Sequence, residues 1–143
     1  MDAKKIILDD AMMNLNKTRE VLSLAERFLS ARIAEAENKK QSAVEFFEAA
    51  VKIEDSLAYD EPPMWYIPSR EALGGLLLRN AQWTEAEKAF RADLERNKLN
   101  GRSLFGLMEA LKAQKKNAEA RRAQKQFQNS WKNADIRLSI ESL

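Results

Sequence analysis

A spacing of 34 residues recurs in the second half of this chain, and it restricts the possible folds more than any other feature. Three positions are each followed by an identical residue 34 positions later: Leu73 by Leu107, Leu77 by Leu111 and Ala86 by Ala120. The pattern Ala86-x3-Phe90 also occurs at Ala43-x3-Phe47, which lies 43 residues earlier. Because a fixed period of about 20–50 residues is the mark of repeat architectures, the sequence predicts stacked copies of one small unit.

The composition and the apolar spacing predict that each unit is helical. Only 4 of the 143 residues are glycine and 3 are proline, while the good helix formers Ala, Leu, Glu, Lys, Arg and Gln dominate. Apolar residues recur at helical intervals, as at Leu104, Leu107, Met108 and Leu111. The predicted helices lie near 3–14, 17–37, 40–57, 69–79, 84–96, 101–114 and 118–132.

Small residues and turn residues predict how these helices pair. Two antiparallel helices pack closely where one presents a small side chain to the other. The predicted small contact positions are Ala43, Gly74, Ala86 and Ala120, with the rings of Phe47 and Phe90 wedged beside them. Thr84 and Glu87 form a predicted capping box, and Asn100 is a predicted N-cap.

With these features in place, the chain resembles the carboxy-terminal region of bacterial tetratricopeptide repeat proteins. The signature of that family reads W-x2-L-G-x2-Y, then A-x3-F, then P. Arg70-x2-Leu73-Gly74-x2-Leu77 with Ala86-x3-Phe90 is similar to it, and the resemblance extends over residues 17–138. The segment from Tyr59 to Arg70 is its most specific part. The chain departs from the family at Lys98, where proline is usual, and at Ala81 and Lys115–Lys116, where glycine is usual.

The resemblance implies an all-α fold, a right-handed α-solenoid of antiparallel helix pairs. We expect one domain over 1–143, with about three pairs and an N-terminal helix. Its parts are a first pair at 17–57, an insertion rich in proline and aromatic residues at 58–68, a second pair at 69–97, a third pair at 100–132 and a tail at 133–143. Similar proteins usually carry more repeats upstream, so the chain resembles a C-terminal module. The implied function is that of a scaffold or adaptor that binds a protein or peptide partner, with no catalytic activity.

Missing residue types argue against most enzyme classes. The chain has no cysteine and no histidine, which removes the commonest nucleophile, general base and transition-metal ligands. Gly74-Gly75 is followed by leucines and is not a phosphate-binding loop. We therefore predict no catalytic residue, no metal and no cofactor. The amino terminus lacks the apolar run of a signal peptide, which predicts a cytoplasmic protein with no membrane partner.

Charge is unevenly distributed along the chain. Residues 34–61 hold eight acids and three lysines, a net charge of −5, whereas residues 98–132 hold nine basic residues and two acids, a net charge of +7. Solvated helix faces explain both regions, and a polarised binding surface explains them as well. The alternative function is therefore nucleic-acid binding through 98–132, with Phe127 and Trp131 available for stacking. Their spacing of four residues favours a place in the core instead. Oligomeric state stays open between a monomer and a weak homodimer.

The insertion at 58–68 is the predicted working surface. It holds all three prolines of the chain, which stiffen the backbone, and aromatic residues together with arginine dominate binding hot spots. The candidate partner-binding residues are Tyr59, Glu61, Trp65, Tyr66 and Arg70. In the other interpretation, Trp65 and Tyr66 seal a junction between repeats and Arg70 pairs with Asp60 or Glu61.

Overall fold

The computed structural model describes residues 11–143, which belong to two compact units divided between Ser69 and Arg70. Most of these residues are helical, which confirms the predicted all-α class. The first unit contains a short hairpin of β1 (Met12–Met13) and β2 (Asn16–Lys17), then α1 (Thr18–Ala36) and α2 (Lys40–Ser56). The second contains α3 (Ser69–Arg79, beginning at the boundary), α4 (Trp83–Arg96), α5 (Gly101–Ala113), α6 (Asn117–Ser130) and a 3-10 turn at Ile140–Ser142.

The predicted N-terminal helix near 3–14 is wrong over its described part. Residues 1–10 lie outside the described residues, and from Ala11 onward the chain forms an antiparallel hairpin in which Met12 pairs with Lys17. Asn14 turns the chain with a φ of 53°, a conformation that asparagine tolerates better than most residues. The short side chains of Asn14 and Asn16 bond to distant backbone and carboxylate groups, which competes with helix formation.

The core of the first unit is formed by one face of α1 against one face of α2. The Phe28 and Phe47 rings meet edge to face with 5.2 Å between their centroids, and Phe47 is fully buried. The guanidinium of Arg32 lies 5.3 Å from the centroid of the Phe47 ring, a cation–π contact. Ala43 is fully buried, as the predicted small contact position requires.

Three helix-to-helix turns share one backbone geometry. Asn38, Ala81 and Lys115 all have φ between 57° and 60°. At each turn the following amide donates to a carbonyl five residues back, as from Lys39 N to Ala34 O at 2.8 Å. The equivalent bonds run from Gln82 N to Leu77 O and from Lys116 N to Leu111 O, both at 2.9 Å. This is the Schellman motif, and its recurrence at intervals of 43 and 34 residues matches the repeat read from the sequence.

These turns carry a testable cost, because none of the three residues at positive φ is glycine. We expect Ala81→Gly to raise the free energy of unfolding by about 0.5–1 kcal/mol, since glycine reaches this conformation without a Cβ clash. The matched control is Ala89→Gly within α4, which should lower the free energy of unfolding by about 1 kcal/mol. Urea denaturation measures both. A loss of stability in Ala81→Gly would contradict this account of the turn.

The core of the second unit is organised around Phe90 of α4. The ring is fully buried, and Ala86 one turn earlier is fully buried as well. A Cβ built at Gly74 of α3 would lie 2.6 Å from the ring, and one built at Gly106 of α5 would lie 2.2 Å from it. The ring therefore occupies a slot that exists because both neighbouring helices carry glycine there. Gly74 and Ala86 were predicted as small contact positions, and Gly106 was not.

One of the two predicted helix caps is confirmed. The Asn100 side chain accepts a hydrogen bond from the Arg102 amide at 3.1 Å and begins α5. The capping box at Thr84 is wrong, because α4 already begins at Trp83 and its N-cap, Gln82, makes no side-chain cap bond. The Thr84 hydroxyl instead lies 3.4 Å from Gln114 Oε1, so a contact between neighbouring helices replaces the local cap.

Candidate functional site

The insertion at 58–68, called the proline segment below, is fixed at its start by the hairpin of the first unit. The Ala58 amide donates to Asn16 Oδ1 at 2.7 Å, and Asn16 Nδ2 donates to the Ala58 carbonyl at 3.2 Å. Asn14 Nδ2 lies 2.6 and 2.7 Å from the two carboxylate oxygens of Asp60, which is buried. Backbone and side-chain bonds together hold residues 58–60 in one place.

The far end of the proline segment is fixed by α1 and α2. The Trp65 ring packs against Phe28 of α1, with 5.3 Å between centroids. Just beyond the segment, the Ser69 amide donates to Glu54 Oε2 of α2 at 2.7 Å. Fixed ends and three prolines make this an ordered surface feature, because proline removes backbone freedom.

Two tyrosines of the proline segment face solvent. Tyr59 is 80% exposed and Tyr66 is 94% exposed. The Tyr59 hydroxyl donates to Glu61 Oε2 at 2.5 Å. That hydrogen bond and the charge of Glu61 raise the pKa of Tyr59, so the phenol stays protonated at neutral pH and remains a donor.

The five predicted site residues thus divide into separate groups. Tyr59 and Glu61 are joined by a hydrogen bond, and Tyr66 points to solvent without burial. Trp65 is partly buried beneath them on Phe28, which matches the sealing role that the sequence left open for it but not for Tyr66. Arg70 lies partly buried in the first turn of α3, in the second unit.

The basic region at 98–132 presents charge but keeps its aromatic rings occupied. Arg121, Arg122 and Lys125 are exposed on α6. Phe127 lies 5.5 Å from the Phe105 ring and stacks on Trp131 at 6.0 Å. Both rings are only partly exposed, so they contribute to packing as their spacing predicted.

Glu87 collects the charges between α4 and α6. Its carboxylate receives Lys116 Nζ at 2.7 Å, Gln114 Nε2 at 2.8 Å and Arg91 Nε at 2.9 Å. Burial alone would raise the pKa of Glu87, but these donors outweigh burial and lower the pKa. Glu87 therefore stays ionised at neutral pH as part of an interhelical ion-pair cluster.

Within residues 11–143, no group of three or more acidic side chains is placed to hold a metal ion. None of the helices described is long and apolar enough to cross a membrane. Comparisons with family models, with curated proteins and with solved structures find no match to this chain. The resemblance to tetratricopeptide repeat proteins therefore rests on the residues and the repeated turns alone.

Some features of this region have no signal in the sequence. Phe28 supports Trp65 from 37 positions away, and Asn14 and Asn16 hold the segment from more than 40 positions away. An aromatic residue on the apolar face of α1 and two asparagines in a polar stretch are common features. Only the folded chain brings them to the proline segment.

Proposed function

We propose that this protein is a tetratricopeptide-like interaction module that binds a protein or peptide partner through the proline segment. The observation that carries the proposal is the near-complete exposure of Tyr59 and Tyr66 on a segment fixed at both ends. Exposed tyrosine supplies a large amphipathic contact area and loses little rotamer freedom on binding. A surface already ordered before binding also loses less entropy than a flexible loop.

The wider proposal follows the repeat. Three helix pairs with the same Schellman turn support a right-handed solenoid of the tetratricopeptide type, which acts as a scaffold in the cytoplasm and carries out no catalysis. A protein partner is favoured over nucleic acid because Phe127 and Trp131 are engaged with Phe105 and with each other. Stacking on free aromatic rings is what single-stranded nucleic acid requires.

The proposal predicts a specific difference between two adjacent aromatic residues. Tyr66→Ala should change the free energy of unfolding by less than about 0.5 kcal/mol, as exposed substitutions do, and should abolish partner binding. Trp65→Ala should lower the free energy of unfolding by about 2–4 kcal/mol, because it removes the ring packed on Phe28. Thermal melts and titration of the purified partner measure the two effects separately.

The partner is to be found by photocrosslinking in cell lysate. A benzophenone amino acid placed at position 66 should capture a protein that the same group at Gln128, exposed on α6, does not capture. That protein is then purified and titrated against the wild type and Tyr66→Ala. Equal capture from both positions, or equal affinity for both chains, would remove the proline segment as the binding surface.

A further inference from the structure

The end of the described chain lies against α3 and α5 of the second unit. Residues Ser139–Leu143, called the tail segment below, contain the 3-10 turn at Ile140–Ser142. The Ser139 amide donates to Ser142 Oγ at 3.0 Å, and the Ser142 amide donates to the Ser139 carbonyl at 3.1 Å. The tail segment therefore has a defined conformation that it holds by its own hydrogen bonds.

Leu143 is the apolar anchor of the tail segment. It is only 4% exposed, although Glu141 and Ser142 beside it are exposed. A Cβ built at Gly75 of α3 would lie 2.9 Å from Leu143 Cβ and 3.0 Å from its carbonyl carbon. The leucine reaches α3 because residue 75 has no side chain, so this glycine forms the floor of the site.

Two arginines bind the backbone of the tail segment. Arg79 Nη1 donates to the Leu143 carbonyl oxygen at 3.0 Å and to that of Ile140 at 3.3 Å, while Arg102 Nη2 donates to the carbonyl of Ser142. Backbone carbonyls are present in every peptide. These contacts therefore recognise a turn of peptide chain, and the site above Gly75 selects its apolar residue.

Arg102 is positioned before any peptide arrives. Its Nε donates to Glu71 Oε1 at 2.5 Å, and Glu71 is buried on the same face of α3 as Gly75 and Arg79. Asn100 Nδ2 donates to the other oxygen of Glu71 at 3.0 Å. A guanidinium held in this way loses little freedom on binding, as an arrangement made for a ligand requires.

The tail segment is joined to α6 by a stretch with few anchors. Residues 132–137 are exposed, and Trp131 Nε1 donates to the Ile136 carbonyl at 2.9 Å. Release of the tail segment from α3 and α5 would leave α3–α6 and the Phe90 core in place. A short tether gives the tail segment an effective concentration on the order of millimolar, so it competes with any free peptide for the same surface.

We propose that this face of α3 and α5 is a second docking site, which takes an acidic, leucine-bearing peptide of a partner protein in competition with the chain's own tail segment. The proposal does not depend on the proline segment. Partner binding requires release of the tail segment, and the tail reduces the apparent affinity by the fraction of time for which it occupies the site.

The acidic character of the peptide follows from the two arginines. Guanidinium groups bind carboxylates more strongly than neutral carbonyls, often through two bonds at once. The tail segment already shows this preference in Glu141. The pKa of Glu141 is lowered by its own backbone amide, by Ser139 and by the positive charge of Arg79.

A labelled peptide of residues 136–143 is the probe, and its binding to the full chain is measured by fluorescence anisotropy. Leu143→Ala, which removes the anchor of the tail segment, should bind the probe at least tenfold more tightly than the wild type. Ile136→Ala, at an exposed position outside the docked residues, should bind like the wild type. Adding Gly75→Ala to Leu143→Ala should abolish binding, because the new Cβ occupies the leucine site while alanine favours the helix.

The proposal is wrong if Leu143→Ala binds the probe no more tightly than the wild type, or if Gly75→Ala leaves binding intact. Circular dichroism checks that each variant folds. If Leu143→Ala does not fold, the wild type is examined by methyl NMR with millimolar probe. Displacement should then shift the Leu143 methyl signals, and unchanged signals would overturn the proposal. A dimer by light scattering that Leu143→Ala dissociates would show instead that the tail segment occupies a second copy.

Discussion

Phe90→Ala is expected to lower the free energy of unfolding by about 3–5 kcal/mol, the range measured for fully buried aromatic residues. The ring fills the slot between Gly74 and Gly106, and both glycines lack the side chains that could close the space it leaves. Chemical denaturation of the full chain measures the loss. Phe127→Ala, which truncates a partly exposed ring on α6, is the matched control and should cost less than half as much.

The same slot predicts a coupled effect at Gly106. Gly106→Ala should lower the free energy of unfolding by about 1–3 kcal/mol through overpacking, although alanine is the better helix former. In the Phe90→Ala background the same substitution should stabilise the chain, because the ring that it would meet is gone. Additive effects of the two substitutions would contradict direct contact between Gly106 and Phe90.

Gly106 also shows where the repeat stops being informative. Ala43, Ala86 and Ala120 were predicted as contact positions because they recur with a period, and all three are buried. Gly106 occupies no position of that period. Its role depends on the ring of Phe90, 16 residues earlier on another helix, and such a contact is set by packing between helices.

Long-range hydrogen bonds explain the errors near the amino terminus. Residues 11–14 were predicted to end a helix because their local pattern permits one. The observed hairpin depends on Asn14 bonding to Asp60 and Asn16 bonding to Ala58, contacts that span 46 and 42 residues. A local reading of propensity contains no term for such partners.

The candidate sites differ in how much the sequence discloses. The clustering of prolines and aromatic residues marked the proline segment, but it did not distinguish Trp65 from Tyr66, because the difference depends on Phe28 of α1. The tail segment gave no signal at all. Leu143, Gly75 and the two arginines are ordinary residues in sequence, and their meeting is visible only after α3 and α5 are packed.

Asp93→Ala is the second substitution expected to have a large effect, a loss of about 2–4 kcal/mol in the free energy of unfolding. Asp93 is 1% exposed, and its carboxylate accepts from Ser103 Oγ at 2.6 Å, Asn97 Nδ2 at 2.7 Å and Asn100 Nδ2 at 2.9 Å. Alanine would leave buried donors without this acceptor and would open a small cavity. It would also weaken Asn100, which caps α5.

Graded variants separate loss of the hydrogen bonds from loss of volume. Ser103→Ala removes a single bond to Asp93 and should cost about 1–2 kcal/mol, while Asp93→Asn keeps the volume and one acceptor oxygen and should fall between the two. Asp135→Ala, at an exposed position, is the surface control and should have no measurable effect. If Asp93→Ala unfolds within 1 kcal/mol of the wild type, water must replace the carboxylate at these donors. The network then stabilises neither α5 nor, through Asn100 and Glu71, the position of Arg102.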